Sequence, residues 1–128
     1  MLWENYLMKW LENISERLGR IVGRFCGGRD AARVGAEINE LARYLVMDGF
    51  CSHGECTFTK VEGDIVLTLK PEAGGCFRIS ACPLWREGTY MWSRFFRWRD
   101  FCVDDVKVSL AAMRAELTMR QREGHPIN

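Results

Sequence analysis

The hydrophobic period of this chain changes twice along its 128 residues, and those changes restrict its fold more than any motif does. Through about residue 48, apolar side chains recur at steps of three and four. From Cys56 they alternate, and after Asp100 the helical step returns. A chain that is helical at both ends and extended between them predicts an α+β fold, with helices laid on one face of a small antiparallel sheet. Residues 2–25 carry Trp3, Leu7, Trp10, Ile14, Leu18, Ile21 and Phe25 as one stripe, with Glu4, Lys9, Glu12, Glu16, Arg17 and Arg20 at other positions. Gly27-Gly28 ends this helix, because glycine takes the left-handed C-cap conformation without steric cost. Residues 30–48 read as a second helix, with Asp30 as N-cap and Val34, Ile38, Leu41, Leu45 and Val46 inward. The short turn between the two predicts an N-terminal helical hairpin. Core packing is the first use for the aromatic stripe of 2–25, and a homodimer seam the second.

In the central region, Thr57, Thr59 and Val61 alternate with Cys56, Phe58 and Lys60. The tight-turn sequence Glu62-Gly63-Asp64 follows, then a second strand from Ile65 to Lys70. Pro71 to Gly75 reads as a loop and Cys76 to Ala81 as a third strand, with Pro83 marking its end because proline cannot donate to a ladder. The expectation is a three-stranded antiparallel meander. Leu84 to Arg99 reads as a loop containing a short helix. Asp100 is then the N-cap of a C-terminal helix running to about Arg122, with Val103, Val106, Leu110, Met113 and Leu117 inward. Asp104 and Asp105 in its first turn, and Arg120 and Arg122 in its last, suit the helix dipole. Residues 1–128 read as a single domain, with 124–128 as a flexible tail.

Hydrophobic residues make up 48% of the chain and charged ones 27%, which provides for a core and argues against disorder. The formal net charge of +1 gives no domain-wide attraction for nucleic acid or an anionic membrane. No apolar run approaches the roughly 18 residues needed to cross a bilayer. The first residues lack a basic segment followed by a continuous apolar one, so no export signal is read and a cytoplasmic location is expected. In that compartment the six cysteines are expected as thiols or metal ligands rather than disulfides.

Four clusters carry candidate chemistry. Cys51, His53 and Cys56 fall within six residues and offer three of the four N/S ligands of a zinc site, although the spacing matches no standard zinc motif. On the third strand, Cys76, Arg78, Ser80 and Cys82 share one face, while Phe77, Ile79 and Ala81 share the other. Six residues of extended chain separate Cys76 from Cys82 by roughly 20 Å, so the two cannot ligate one ion. The run from Trp85 to Arg99 contains four arginines against a single glutamate, interleaved with aromatics. Trp85, Arg86 and Arg97, with Arg78, can hold a carboxylate by paired hydrogen bonds while rings cover a flat body. Packing in the core is the competing role for Trp92, Phe95, Phe96 and Trp98. Cys102, in the first turn of the last helix, is the fourth candidate, where unpaired backbone N–H groups favour a thiolate. A nucleophilic Cys102 or Cys82 would need a base; of the two histidines His125 falls in the tail read as flexible, which leaves His53.

The pattern Phe77-x-Ile79-x-x-Cys82-Pro83, then Phe101-Cys102-x-x-Asp105 opening a helix, resembles two related groups over about residues 76–114. They are the 4-vinyl reductase-like small-molecule-binding domains and the L-2-amino-thiazoline-4-carboxylic acid hydrolase-like proteins. In those groups a strand ends in Cys-Pro and a second cysteine opens the next helix, places that fall here to Cys82 and Cys102. The resemblance implies ligand sensing or, in the hydrolase-like group, opening of a thiazoline ring. Three functions are therefore carried forward. The first is a small-molecule-binding or sensory domain for an anionic or aromatic ligand at Arg78, Cys82, Trp85, Arg86, Arg97 and Cys102. The second is a cysteine-dependent hydrolase of a small C–N bond substrate using Cys102 or Cys82, and the third is a zinc protein using Cys51, His53 and Cys56.

Overall fold

The computed structural model describes residues 28–122 except residue 87, with side chains from Ala32 onward. The expected helix over 2–25, its dimerisation role and the tail at 124–128 lie outside the described residues. Within them the order is α1 (Gly28–Met47), β1 (Cys51–Ser52), β2 (Phe58–Glu62), β3 (Ile65–Glu72), β4 (Cys76–Pro83) and β5 (Trp92–Arg97). A 3-10 turn (Trp98–Asp100) and α2 (Val103–Arg122) complete the described residues. The five strands form one sheet in the order β1-β2-β3-β4-β5, and every neighbouring pair is antiparallel.

The α+β class is correct, but the three-stranded meander is not, because a strand is added at each edge. At one edge, β1 is only two residues long, too short to display an alternation. It is turned back onto β2 through Gly54, Glu55 and Cys56, all at positive φ (83°, 50° and 61°). The opposite edge, β5, falls where a loop with a short helix was expected. Its inward residues are Trp92, Arg94 and Phe96, which pair with Ala81, Ile79 and Phe77. An arginine in the middle of the inward set breaks the alternation that announces a strand. Strand β3 also runs two residues further than expected, through Pro71 to Glu72. Pairing with β2 ends at Leu69, so Pro71 has a neighbour only in β4 and its missing N–H interrupts no second ladder.

Both helices cover the same face of the sheet. Val34, Ile38, Leu41, Ala42 and Leu45 of α1, with Val103, Val106, Leu110, Met113 and Leu117 of α2, are buried against Phe58, Leu67, Leu69, Phe77, Ile79 and Phe96. The inward stripes read from the sequence are these residues, except that Val46 is only half-buried. Phe77, Trp98 and Phe101 close the β4–β5 end of the core as a three-way ring cluster, each pair of centroids 5.4 Å apart.

The helix starts differ from expectation. Asp30 lies inside the first turn of α1 rather than before it. Asp100 belongs to the 3-10 turn, and α2 begins three residues later at Val103. The cap of α2 comes from the other helix: Val103 N–H donates to Glu37 Oε2 at 2.8 Å. One turn earlier on α1, Arg33 donates to Phe101 O at 2.9 Å and Arg99 O at 2.7 Å. Two side chains at i and i+4 on α1 therefore satisfy both the carbonyls before α2 and the orphan donor at its start.

At the other side of the inner face, Arg114 of α2 donates to Glu62 Oε2 and Asp48 Oδ2, both at 2.5 Å. Lys60 lies 3.1 Å from Glu62 Oε2 and 3.6 Å from Asp48 Oδ2. Burial alone would raise the Glu62 carboxyl, but the hydrogen bonds and charges of Arg114 and Lys60 outweigh it and hold Glu62 below its ordinary value. This network ties the end of α1, strand β2 and α2 together.

Candidate functional site

The face of the sheet opposite the helices contains the main group of polar and aromatic side chains that the fold assembles. Antiparallel pairing puts directly opposed residues on one face, so the rows Lys70–Arg78–Phe95, Glu72–Cys76–Arg97 and Thr68–Ser80–Ser93 stand side by side there. Arg78 is at the centre. Its guanidinium carbon sits 3.6 Å from the Tyr90 ring centroid and 5.0 Å from that of Phe95. Its Nε donates to Ser93 Oγ at 3.2 Å, and Nη1 lies 3.5 Å from Glu72 Oε1. Only 15% of the Arg78 side chain is exposed, whereas Phe95 and Tyr90 are 55% and 46% exposed.

The charge on this patch favours anions. Lys70, Arg78 and Arg97 supply three positive charges against the one of Glu72, a surplus of two. Glu72 is shared, because Lys70 Nζ is also 3.8 Å from its Oε1. Arg78 therefore has its Nε and Nη1 engaged and its guanidinium set over the Tyr90 ring, with Nη2 as the remaining donor arm among the described residues. A planar cation already immobilised loses little freedom when it binds a carboxylate.

The other sequence candidates are dispersed around the fold. Arg97 is on the same face as Arg78, opposite Cys76. Trp85 and Arg86 lie exposed in the turn after β4. Cys82, half-buried, is opposite Val66 at the far end of β4 from Cys76, roughly 20 Å along the strand. Cys102 is past the Cys76 end, on the segment leading to the helices, and its carbonyl accepts the Val106 N–H at 3.2 Å. Cys82 and Cys102, joined in the sequence by the arginine-aromatic segment, are thus held at opposite ends of the sheet. The start of α2 beside Cys102 already has the carboxylates of Glu37, Asp104 and Asp105 to complement its dipole.

His53 shares a 2.5 Å hydrogen bond with Thr59 Oγ1 on the β1–β2 side. That edge of the sheet is three strand spacings, roughly 14 Å from β2 to β5, away from the strand that leads to Cys102. The Cys51, His53 and Cys56 trio does not converge either. Cys51 and His53 are exposed, but Cys56 is buried in the core, where desolvation and then the Glu55 charge push its thiol up to about 12. Among the described residues, no three His, Cys, Asp or Glu side chains are grouped to hold a metal ion.

The sequence had not singled out Tyr90, Ser93, Phe95 or Glu72 as contributors to the Arg78 site. The signal for Ser93 and Phe95 was the outward alternation Ser93, Phe95, Arg97, which is visible once 92–97 is known to be a strand, and Glu72 lay in a segment read as a loop. Tyr90 comes from the preceding loop and leaves no periodic trace. Comparison with protein-family models, curated proteins and solved structures gives no match for this chain.

Proposed function

We propose that this domain binds a small carboxylate with a flat apolar body on the outer face of its sheet, with Arg78 holding the carboxylate. The observation that carries this reading is the immobilised guanidinium of Arg78, stacked at 3.6 Å on Tyr90 and tethered to Ser93. Phe95 and Tyr90 offer exposed ring surface for the apolar body, and Lys70 and Arg97 add attraction for the anion.

The test is a titration with 2-naphthoate followed by chemical shifts of the β4 and β5 amides. Binding should perturb Arg78, Ser93 and Phe95 and weaken by about tenfold or more in Arg78→Met, which preserves the apolar stem while removing the charge. The neutral analogue 2-naphthalenemethanol should bind no better to the wild type than to Arg78→Met. Equal affinity of 2-naphthoate for wild type and Arg78→Met would refute the proposal.

A further inference from the structure

The two edges of the sheet are built differently. Strand β1 is two residues long and is followed by a loop at positive φ, which blunts that edge. Strand β5 is six residues long, has no proline, and pairs continuously with β4 from Arg97–Cys76 to Trp92–Ala81. The ladder beyond it fixes which of its backbone groups face outward. Trp98 N–H donates to Gly75 O at 3.2 Å, so Trp98 and Gly75 form a hydrogen-bonded pair. Hydrogen-bonded and non-hydrogen-bonded pairs alternate along an antiparallel ladder. Phe96, Arg94 and Trp92 therefore bond to β4, and the N–H and C=O groups of Ser93, Phe95 and Arg97 point to the open edge. No described residue lies hydrogen-bonded to those outward groups.

We propose that the β5 edge is a docking site for an extended acidic peptide segment of a partner protein, which adds to the sheet as a sixth strand. The proposal rests on the edge and its charge and is independent of the small-ligand reading. Main-chain pairing would supply the affinity and the side chains flanking it the specificity. On the outer face, the added strand would lie beside Ser93, the exposed Phe95 ring and Arg97; on the inner face it would lie beside Arg94. Arg94 is held ready by a 2.8 Å bond to Ser109 Oγ and by its position 5.0 Å from the Phe96 ring. No carboxylate among the described residues pairs with Arg94 or Arg97. The edge thus selects a strand with an apolar residue beside Phe95 and acidic ones beside Arg97 and Arg94. A second copy of this chain fits worse, since two-fold pairing of β5 with itself adds two more arginines and no carboxylate to the seam.

The probe is a fluorescein-labelled octapeptide of alternating glutamate and valine, compared with its lysine–valine counterpart. Anisotropy should show saturable binding of the acidic peptide alone. Ser93→Pro removes one outward N–H and no backbone bond to β4, a change an edge strand tolerates, and should weaken binding about tenfold; the Oγ that accepts from Arg78 is lost equally in Ser93→Ala. Ser93→Ala, which retains the N–H, should bind the peptide as the wild type does. Should Ser93→Pro fail to fold, acidic peptides methylated at alternate backbone nitrogens give the same information, one of the two methylation patterns losing affinity. Acidic peptide that binds Ser93→Pro, or both methylated forms, as tightly as the parent pair would reduce the effect to surface charge and overturn the proposal. So would a concentration-dependent dimer abolished by Ser93→Pro, which would assign the edge to a second copy.

Discussion

Phe95 and Phe96 are consecutive residues of one strand with opposite surroundings. Phe96 is packed into the helix-covered core against Phe77, its cross-strand partner, while Phe95 is 55% exposed beside Arg78. The same division runs along β4, where Phe77, Ile79 and Ala81 face the helices and Cys76, Arg78 and Ser80 face away. Strand alternation therefore sorts one short segment into two layers. The inner layer is apolar and held by burial. The outer one is polar and aromatic, held by stacking and a few hydrogen bonds. The inner layer should determine stability, and the outer layer recognition.

The sharpest way to break this comparison is to cut the same side chain from each layer. Phe77 is almost fully buried and meets Trp98 and Phe101 at 5.4 Å, so Phe77→Ala removes a ring from the cluster that closes the core. It should cost about 4 kcal/mol in chemical denaturation, combining lost burial with an unfilled cavity. A loss below about 1 kcal/mol would mean that this end of the core is not well packed, and the contrast between layers would fail.

The inner layer was far more legible in the sequence than the outer. The stripes Val34, Ile38, Leu41, Leu45 and Val103, Val106, Leu110, Met113, Leu117 are periodic because burial demands it, and all are buried. Strands β2, β3 and β4 were visible for the same reason. What lay beyond reach depended on pairing between distant segments. β5 contains an inward arginine whose acceptor, Ser109, is fifteen residues away in α2. The cap of α2 is Glu37, sixty-six residues upstream, so a local search for an N-cap settled on Asp100. Of the candidate site, Arg78 and its face followed from alternation alone. Its partners Tyr90, Ser93 and Phe95 required the β4–β5 register. The Cys82–Cys102 pairing was a matter of sequence proximity, and strand length separated it.

A smaller effect should come from the charged seam between the layers' supports. Arg114→Met leaves Asp48 and Glu62 facing each other with Lys60 alone, and should cost about 1 to 2 kcal/mol, discounted for partial exposure. Its pH dependence is more diagnostic. Glu62 is depressed in the folded state, so the stability it contributes is present above the unfolded carboxyl value of about 4.3 and is lost as pH falls through the lower folded value. Wild-type stability should therefore decline on acidification in that window, and the decline should be shallower in Arg114→Met. Parallel acid limbs in the two proteins would show that the seam is not coupled to folding. Below this in size comes Glu37→Ala, which takes the cap from Val103 N–H and should cost about 1 kcal/mol, with the first turn of α2 exchanging amide hydrogens faster.

The smallest effect belongs to Phe95→Ala, the outer-layer counterpart of Phe77→Ala. More than half of the ring is already in water, so little apolar surface is returned to solvent by its removal. The contact at risk is the 5.0 Å approach of the Arg78 guanidinium, and Arg78 remains stacked on Tyr90 at 3.6 Å without it. The loss should be less than about 1 kcal/mol in the same denaturation experiment. Affinity for 2-naphthoate should nevertheless fall, because Phe95 supplies part of the ring surface for the apolar body. An exposed phenylalanine that changes binding but not stability is what a recognition layer requires. If Phe95→Ala instead destabilised the protein as much as Phe77→Ala, the outer face would be a second core surface, and the division of labour between the faces of β5 would be lost.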